Sequence, residues 1–203
     1  MMTEEDTYRT LKQPSTGEFR ERGSKFLAFA YPVEDERSFR QALEEIKGRY
    51  ADASHHCYAY IFSPGNPVSK SNDAGEPANT AGKPILRQIL SKELMNTGII
   101  VVRYFGGKLL GVPGLINAYG NAALSAIENA GIITKVIENE YVLEVDYKFQ
   151  NEAFRFLKIQ QAGILLQLQE EKLRLVFSVR RSKASQMLNS SHDFHNFTVK
   201  LKA

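Results

Sequence analysis

Asp73 and Glu76 stand three residues apart in the stretch "SNDAGEPANTAGKPIL", residues 71–86. Two carboxylates at this spacing can hold a hard cation or divide the roles of acid and base. In a run of turn formers an aspartate can equally cap backbone N–H groups, and this bland reading is the favoured one. A second group is "SHHCYAY". On a strand His55 and Cys57 share a face and His56 does not. They could form a thiol–imidazole nucleophile pair, but one buried thiol beside one satisfied imidazole fits better. Two donors fall short of the four a zinc site wants, and His192 and His195 lie far along the chain, so no metal is expected. The third group is Arg103, Gly106, Gly107 and Lys108, followed by Gly111 and Gly114. A glycine loop between a strand and a helix lets the backbone approach an anion, and the helix start offers free N–H groups. No P-loop or dinucleotide fingerprint is present, so a tight turn that packs the helix on its sheet is the competing reading. No G-x-S-x-G supports a hydrolase.

These residues need elements to hold them. In the first half, "SKFLAFAYPV", "HHCYAYIF" and "GIIVVRYF" read as strands. "ERSFRQALEEIKGRY" is an amphipathic helix burying Phe39, Ala42, Leu43, Ile46 and Tyr50. "PILRQIL" opens a helix with Pro84 in its first turn and Thr80 as its expected cap. "LINAYGNAALSAIENAG" is a helix with Leu115, Ala118, Tyr119, Ala122, Ala123 and Ala126 inward and Gly131 as its stop. Residues 64–79 read as one loop, longer than most connections, which raises a functional reading.

The second half follows the order β-α-β-β-α-β, the split βαβ pattern of ferredoxin-like domains. Its strands are "YVLEVDY", "ILLQLQ", "KLRLVFSV" and "FTVKLKA". Its first helix, in "NEAFRFLKIQQAG", is expected to stop at Gly163, and Ser182 to cap the second. The boundary falls near residues 137–140, giving domains 1–137 and 138–203.

Composition narrows the class. The chain has 203 residues, 43% apolar and 24% charged, and a formal net charge of +3, too small to imply nucleic acid by itself. Basic residues are scattered; the densest group is Arg180, Arg181 and Lys183. No apolar run reaches the roughly 20 residues of a membrane helix, so no membrane partner is expected. The acidic, polar start is unlike a secretory signal, and the single Cys57 fits a reducing compartment; a cytoplasmic location is expected.

Four motifs in this order and spacing, "SHHCYAY", "NDAGEPANTAGKPIL", "IIVVRYFGG" and "LLGVPGLINAYGNA", resemble the IMPACT/YigZ-like family. The resemblance covers most of residues 17–131, and the tail resembles that of the bacterial two-domain type. It implies an α+β fold: an N-terminal two-layer domain like domain IV of elongation factor EF-G and a C-terminal ferredoxin-like βαββαβ domain like its domain V. Matched by motif, His55, Asp73, Gly75, Glu76, Pro77, Thr80, Ala81, Gly82, Pro84, Arg103, Tyr104, Gly106 and Gly107 carry the family pattern. The expected cleft comprises His55, Asp73, Glu76, Arg103 and Tyr104, and the glycine loop with its neighbouring lysines gives a candidate anion or phosphate site of Lys83, Gly106, Gly107 and Lys108. Two departures matter. Ala74 replaces a common aspartate, and Val112–Pro113 replaces a Thr–Gly pair, removing one hydroxyl and one N–H from the loop. Eukaryotic relatives regulate translation initiation through a kinase-activating partner by means of their own extra N-terminal domain, so that role is not expected to transfer.

The expectation is a translation-associated binding protein, without a cofactor, whose partner is RNA or a ribosome-associated protein. Two alternatives stay open. One is an enzyme with Asp73 or Glu76 as base and His55, Arg103 and the glycine-loop N–H groups stabilising an anion. The other is a protein-interaction module, favoured if Tyr58, Tyr60 and Tyr104 are exposed.

Overall fold

A computed structural model describes residues 6–202. They fall into two compact units, Tyr8–Lys135 and a second made of 6–7 with 136–202. The fold is α+β throughout.

The first unit is built on a five-stranded antiparallel sheet. Its strands are β2 (Ser15–Glu21), β3 (Ser24–Pro32), β4 (His55–Phe62), β5 (Val68–Asn72) and β6 (Thr97–Tyr104), in the order β2-β3-β6-β4-β5. β1 (Thr7–Leu11) and β7 (Ile132–Val136) pair separately. The helices are α1 (Glu36–Arg49), α2 (Gly82–Ser91) and α3 (Gly111–Ala130).

Alternation along each strand sends side chains to two different cores. On one face Phe26, Ala28, Cys57, Ala59, Ile99 and Val101 pack with Ile85 and Ile89 of α2 and Ala118, Ala122 and Ala126 of α3. On the other, Phe29, Tyr60, Phe62, Ile100 and Val102 pack against Phe39, Leu43 and Ile46 of α1. The face that a two-layer arrangement would leave open is therefore covered by α1. Asp35 starts α1 by accepting the Ser38 N–H at 2.7 Å. The small inward residues of α3 let its backbone lie directly on β2: a Cβ on Gly17 would come within 2.4 Å of the Ala126 nitrogen.

The expected long loop is not all loop. Residues 68–72 form β5, which hairpins back on β4 in antiparallel register. The remaining turn, 73–80, leads straight into α2 and carries Asp73 and Glu76.

The second unit has β8 (Glu138–Val145), α4 (Gln150–Ile159), β9 (Gly163–Gln169), β10 (Leu173–Arg180), α5 (Ala184–Ser191) and β11 (Phe197–Leu201). Its sheet runs β11-β8-β10-β9, all antiparallel, which is the ferredoxin-like order. α4 and α5 bury Phe156, Leu157 and Met187 against Tyr141, Leu143, Leu175 and Phe177. Two local expectations are corrected. The positive φ after α4 belongs to Gln161, whereas Gly163 already begins β9. Ser182 does not cap α5; it lies in a 3-10 turn, where its N–H donates to Asp6 Oδ1 at 2.7 Å and its hydroxyl to Asp6 Oδ2.

Candidate functional site

The register of β4 on β6 sets the geometry. His55 is paired with Arg103 and Cys57 with Val101, so His55, Cys57 and Arg103 share the face that carries α2 and α3. The turn after β5 folds over that face. Its backbone is held in an uncommon form: Ala74, Gly75 and Asn79 all have positive φ, at 44°, 89° and 65°. The Asn72 side chain steadies the turn by accepting the Ala74 N–H at 2.7 Å. The Ala74 carbonyl in turn accepts from His55 Nδ1 at 2.9 Å. A carbonyl only accepts, so Nδ1 carries the proton and Nε2 faces the turn.

Glu76 is the centre of the cluster. Arg103 Nη1 donates to Glu76 Oε1 at 2.6 Å, with side chains only 7% and 3% exposed. The same oxygen accepts the Tyr119 hydroxyl at 2.8 Å, and His55 Nε2 lies 3.8 Å from it. Cys57 Sγ is 3.3 Å from the Tyr119 hydroxyl and 3.0 Å from the Asp73 carbonyl. Burial pushes the Cys57 thiol up to about 12, although Tyr119 opposes the shift. Burial likewise raises the Tyr119 hydroxyl, with Cys57 and Glu76 adding to it. Both groups are thereby held in their neutral forms at ordinary pH, which leaves Cys57 little thiolate character. The Arg103 guanidinium is packed between two rings, 5.5 Å from Phe26 and 5.6 Å from Phe105, and its Nε has no hydrogen-bond partner among the described residues.

Asp73 does something else. Its Oδ1 accepts the N–H groups of Ala81 at 3.0 Å and Gly82 at 2.8 Å, and its Oδ2 accepts that of Asn79 at 2.8 Å. It is thus the cap of α2, the role expected of Thr80, whose hydroxyl instead donates to the Pro77 carbonyl at 2.7 Å. Burial works to raise the Asp73 carboxyl, but the N–H groups of Asn79, Gly82 and Ala81 outweigh it and hold the group below the usual carboxylate value.

The remaining expected residues do not join the cluster. Tyr104 follows Arg103 in β6 and points to the α1 face, where its hydroxyl donates to Asp52 at 2.8 Å. Tyr60 is buried and Tyr58 half-buried in that same core. Lys83 is exposed in the first turn of α2, whose leading N–H groups are taken by Asp73. The Gly106 N–H donates to Ser24 Oγ at 3.1 Å, and a Cβ on Gly106 would fall 1.9 Å from the Gly23 carbonyl carbon. Gly106 is therefore a packing residue. Gly107, with φ 81° and open space beside it, and the exposed Lys108 continue the loop. α3 begins without a side-chain cap, and Pro113 supplies no N–H there.

Two features lay beyond the sequence-based expectation. Tyr119, read as a core residue, also donates into the cluster; the signal was a fully buried tyrosine on a helix face otherwise made of alanine and glycine, since such a hydroxyl needs a partner. The other is an apolar crest over residues 105–112, the loop after β6 and the first turn of α3, with Phe105 50%, Leu109 83% and Val112 53% exposed around Lys108.

An antiparallel sheet with α2, α3 and a buried Glu76–Arg103 pair on one face, followed by a ferredoxin-like unit, defines an α+β protein of two units. Comparison with known proteins assigns its family. A family model, the Impact N-terminal domain, matches residues 22–127. The IMPACT family member YvyE of Bacillus subtilis is 32% identical over 150 residues, covering 72% of this chain and 69% of its own. An IMPACT family member of Haemophilus influenzae is 32% identical over 160 residues, covering 77% of each chain. The IMPACT family member YigZ of Escherichia coli is 32% identical over 126 residues, 61% of this chain and 62% of its own. A solved crystal structure of a hypothetical protein has a TM-score of 0.73 and 25% identity, covering 100% of this chain and 99% of that one. The chain belongs to the IMPACT family. Among the described residues, no helix is long and apolar enough to cross a membrane.

Proposed function

We propose that this protein is a translation-associated binding protein that contacts RNA or a ribosome-associated partner through the 105–110 loop of its first unit. Family membership, with the translation-factor-like fold that the family resemblance implies, supports the translation link, which is analogy rather than site chemistry. The observation that carries the binding reading is the contrast between two neighbouring groups. The carboxylates are already engaged, Glu76 by Arg103 and Tyr119 and Asp73 by three backbone N–H groups. The loop beside them instead offers solvent a half-exposed Phe105 ring, Leu109 and Lys108. An exposed aromatic next to a cation on a rigid base is suited to stacking on a base and meeting a phosphate. The rigid base is Gly106 seated on Gly23 and Arg103 beneath the Phe105 ring.

The enzyme reading keeps one favourable fact, the approach of His55 to Glu76 at 3.8 Å. Against it stand the depth of Glu76 and the use of Asp73 as a helix cap. The interaction-module reading through Tyr58, Tyr60 and Tyr104 is disfavoured because all three pack under α1.

The test is recovery of the tagged full-length chain from cell lysate with and without ribonuclease. Ribosomal components that are lost on nuclease treatment support RNA contact; components that persist support a protein partner. Recovery of neither overturns the reading.

A further inference from the structure

The edge strands of the two units are not alike. β1 carries Arg9, β2 carries Glu18, Arg20 and Glu21, β5 carries Lys70, β7 carries Lys135 and β11 carries Lys200. β9, "GILLQLQ", carries no charge, and it alone does so among the described edge strands. It is one of the two edges of the ferredoxin-like sheet, seven residues long, with Ile164, Leu165 and Leu166 47%, 52% and 50% exposed. A strand edge with free N–H and C=O groups is ordinarily guarded by lysine, proline or shortness because it templates pairing with another chain. A single bulge, which leaves Leu165 as the extra residue opposite Val176 and Phe177, is the only guard here; from Leu166 to Gln169 the ladder is regular.

We infer that β9 is a self-association edge and that its occupant is β9 of a second copy of this chain, antiparallel about a two-fold axis. Charge complementarity selects that occupant and that direction. In the turn after the uncharged strand, Glu170 is paired with Arg174 at 3.8 Å and Lys172 with Asp146 at 3.7 Å, so Glu171 carries the charge left to a partner; before the strand, the cation is Lys183, whose Nζ donates to Gln161 Oε1 at 2.6 Å. With the axis at Leu166, the middle residue, Glu171 of one copy falls opposite Gln161 of the other, beside its Lys183, and the same contact recurs on the far side of the axis. A parallel pairing would set acid against acid. The isologous contact joins two four-stranded sheets into one of eight and brings Ile164, Leu165 and Leu166 of both copies out of water.

The experiment is sedimentation equilibrium of the full chain up to about 100 µM, paired with amide exchange of residues 163–169. The wild type is expected to dimerise in the micromolar range, with protection of 163–169 rising with concentration. Leu166→Lys is expected to give a monomer whose thermal transition is unchanged. Glu171→Lys should raise the dimer dissociation constant roughly tenfold, and adding Lys183→Glu should restore it. A wild type that stays monomeric overturns the inference. So does a dimer that Glu171→Lys leaves untouched, or one that the charge reversal does not rescue. Because β9 lies outside the first unit, failure here leaves the RNA or ribosome reading intact, and failure there leaves this one.

Discussion

Arg103 reaches Glu76 at 2.6 Å across 27 residues of chain and fastens the turn after β5 to the central strand β6. Both side chains are nearly sealed from water. Removing one partner of a buried pair leaves an uncompensated charge, at a cost of about 3–5 kcal/mol, whereas replacing both is far milder. Arg103→Met should therefore lose about that much stability in urea denaturation. Arg103→Met/Glu76→Gln should recover most of it, the remaining amide still accepting from Tyr119. A single variant within about 1 kcal/mol of wild type would mean the pair is not the fastener described.

Asp73 ties three backbone N–H groups to one carboxylate. Asp73→Ala strands these donors and removes the α2 cap, for an expected loss of about 1–3 kcal/mol at neutral pH. The carboxyl is held below its usual value in the folded chain, so its contribution is complete above the unfolded value of about 3.9 and is lost as pH falls through the lower folded value. Asp73→Asn should flatten this acid limb of the stability curve. An acid limb as steep in the variant as in the wild type would place the titrating group elsewhere.

Cys57 gives the opposite limb. Its thiol titrates near 8.5 in an unfolded chain but only at about 12 in the folded one, chiefly because it is buried. The stabilisation is full below the unfolded value and is lost as pH rises toward the folded one. By about pH 9.5 this amounts to roughly 1 kcal/mol, since the unfolded state sheds a proton that the folded state keeps. Cys57→Ala should lack that decline. A native chain that reacts with a thiol reagent as fast as free cysteine would contradict the buried, neutral thiol.

Ala74 sits at φ 44°, a left-handed conformation that an L side chain adopts at a cost. Ala74→Gly should raise stability by about 1 kcal/mol, read as a higher thermal midpoint. A loss of stability would mean that the turn gains more from the Ala74 methyl than its backbone conformation costs.

How much of this was legible in the sequence depended on what kind of signal each element carries. β4 and β6 are apolar runs that declare themselves as strands, but their pairing and the register that sets His55 opposite Arg103 are tertiary and had no sequence signal. β2 and β5, "STGEFRE" and "VSKSN", are polar edge strands with a glycine or serines where periodicity would be sought. They are strands because β3 and β4 offer a ladder and because Gly17 lets α3 close, both of them tertiary reasons. The convergence of Glu76 and Arg103 was readable as a motif pattern. The separation of Asp73 from Glu76 was not, because the two residues between them, Ala74 and Gly75, both turn through positive φ and send the two carboxylates to different partners. Tyr104 cannot join Arg103 in a cleft, because neighbours on a strand face opposite ways and Tyr104 packs on the α1 side.

The central claim is that the Glu76 cluster is a scaffold and that the adjoining loop makes the contact with RNA or the ribosome. It is tested most directly by binding of the purified full-length chain to purified ribosomes across a salt series, for the wild type, Phe105→Ala/Lys108→Glu and His55→Ala. The account predicts wild-type binding that weakens steeply with salt, loss of binding in the loop variant at an unchanged thermal midpoint, and binding retained in His55→Ala. Binding that ignores salt, or that survives the loop variant and fails in His55→Ala, would contradict it.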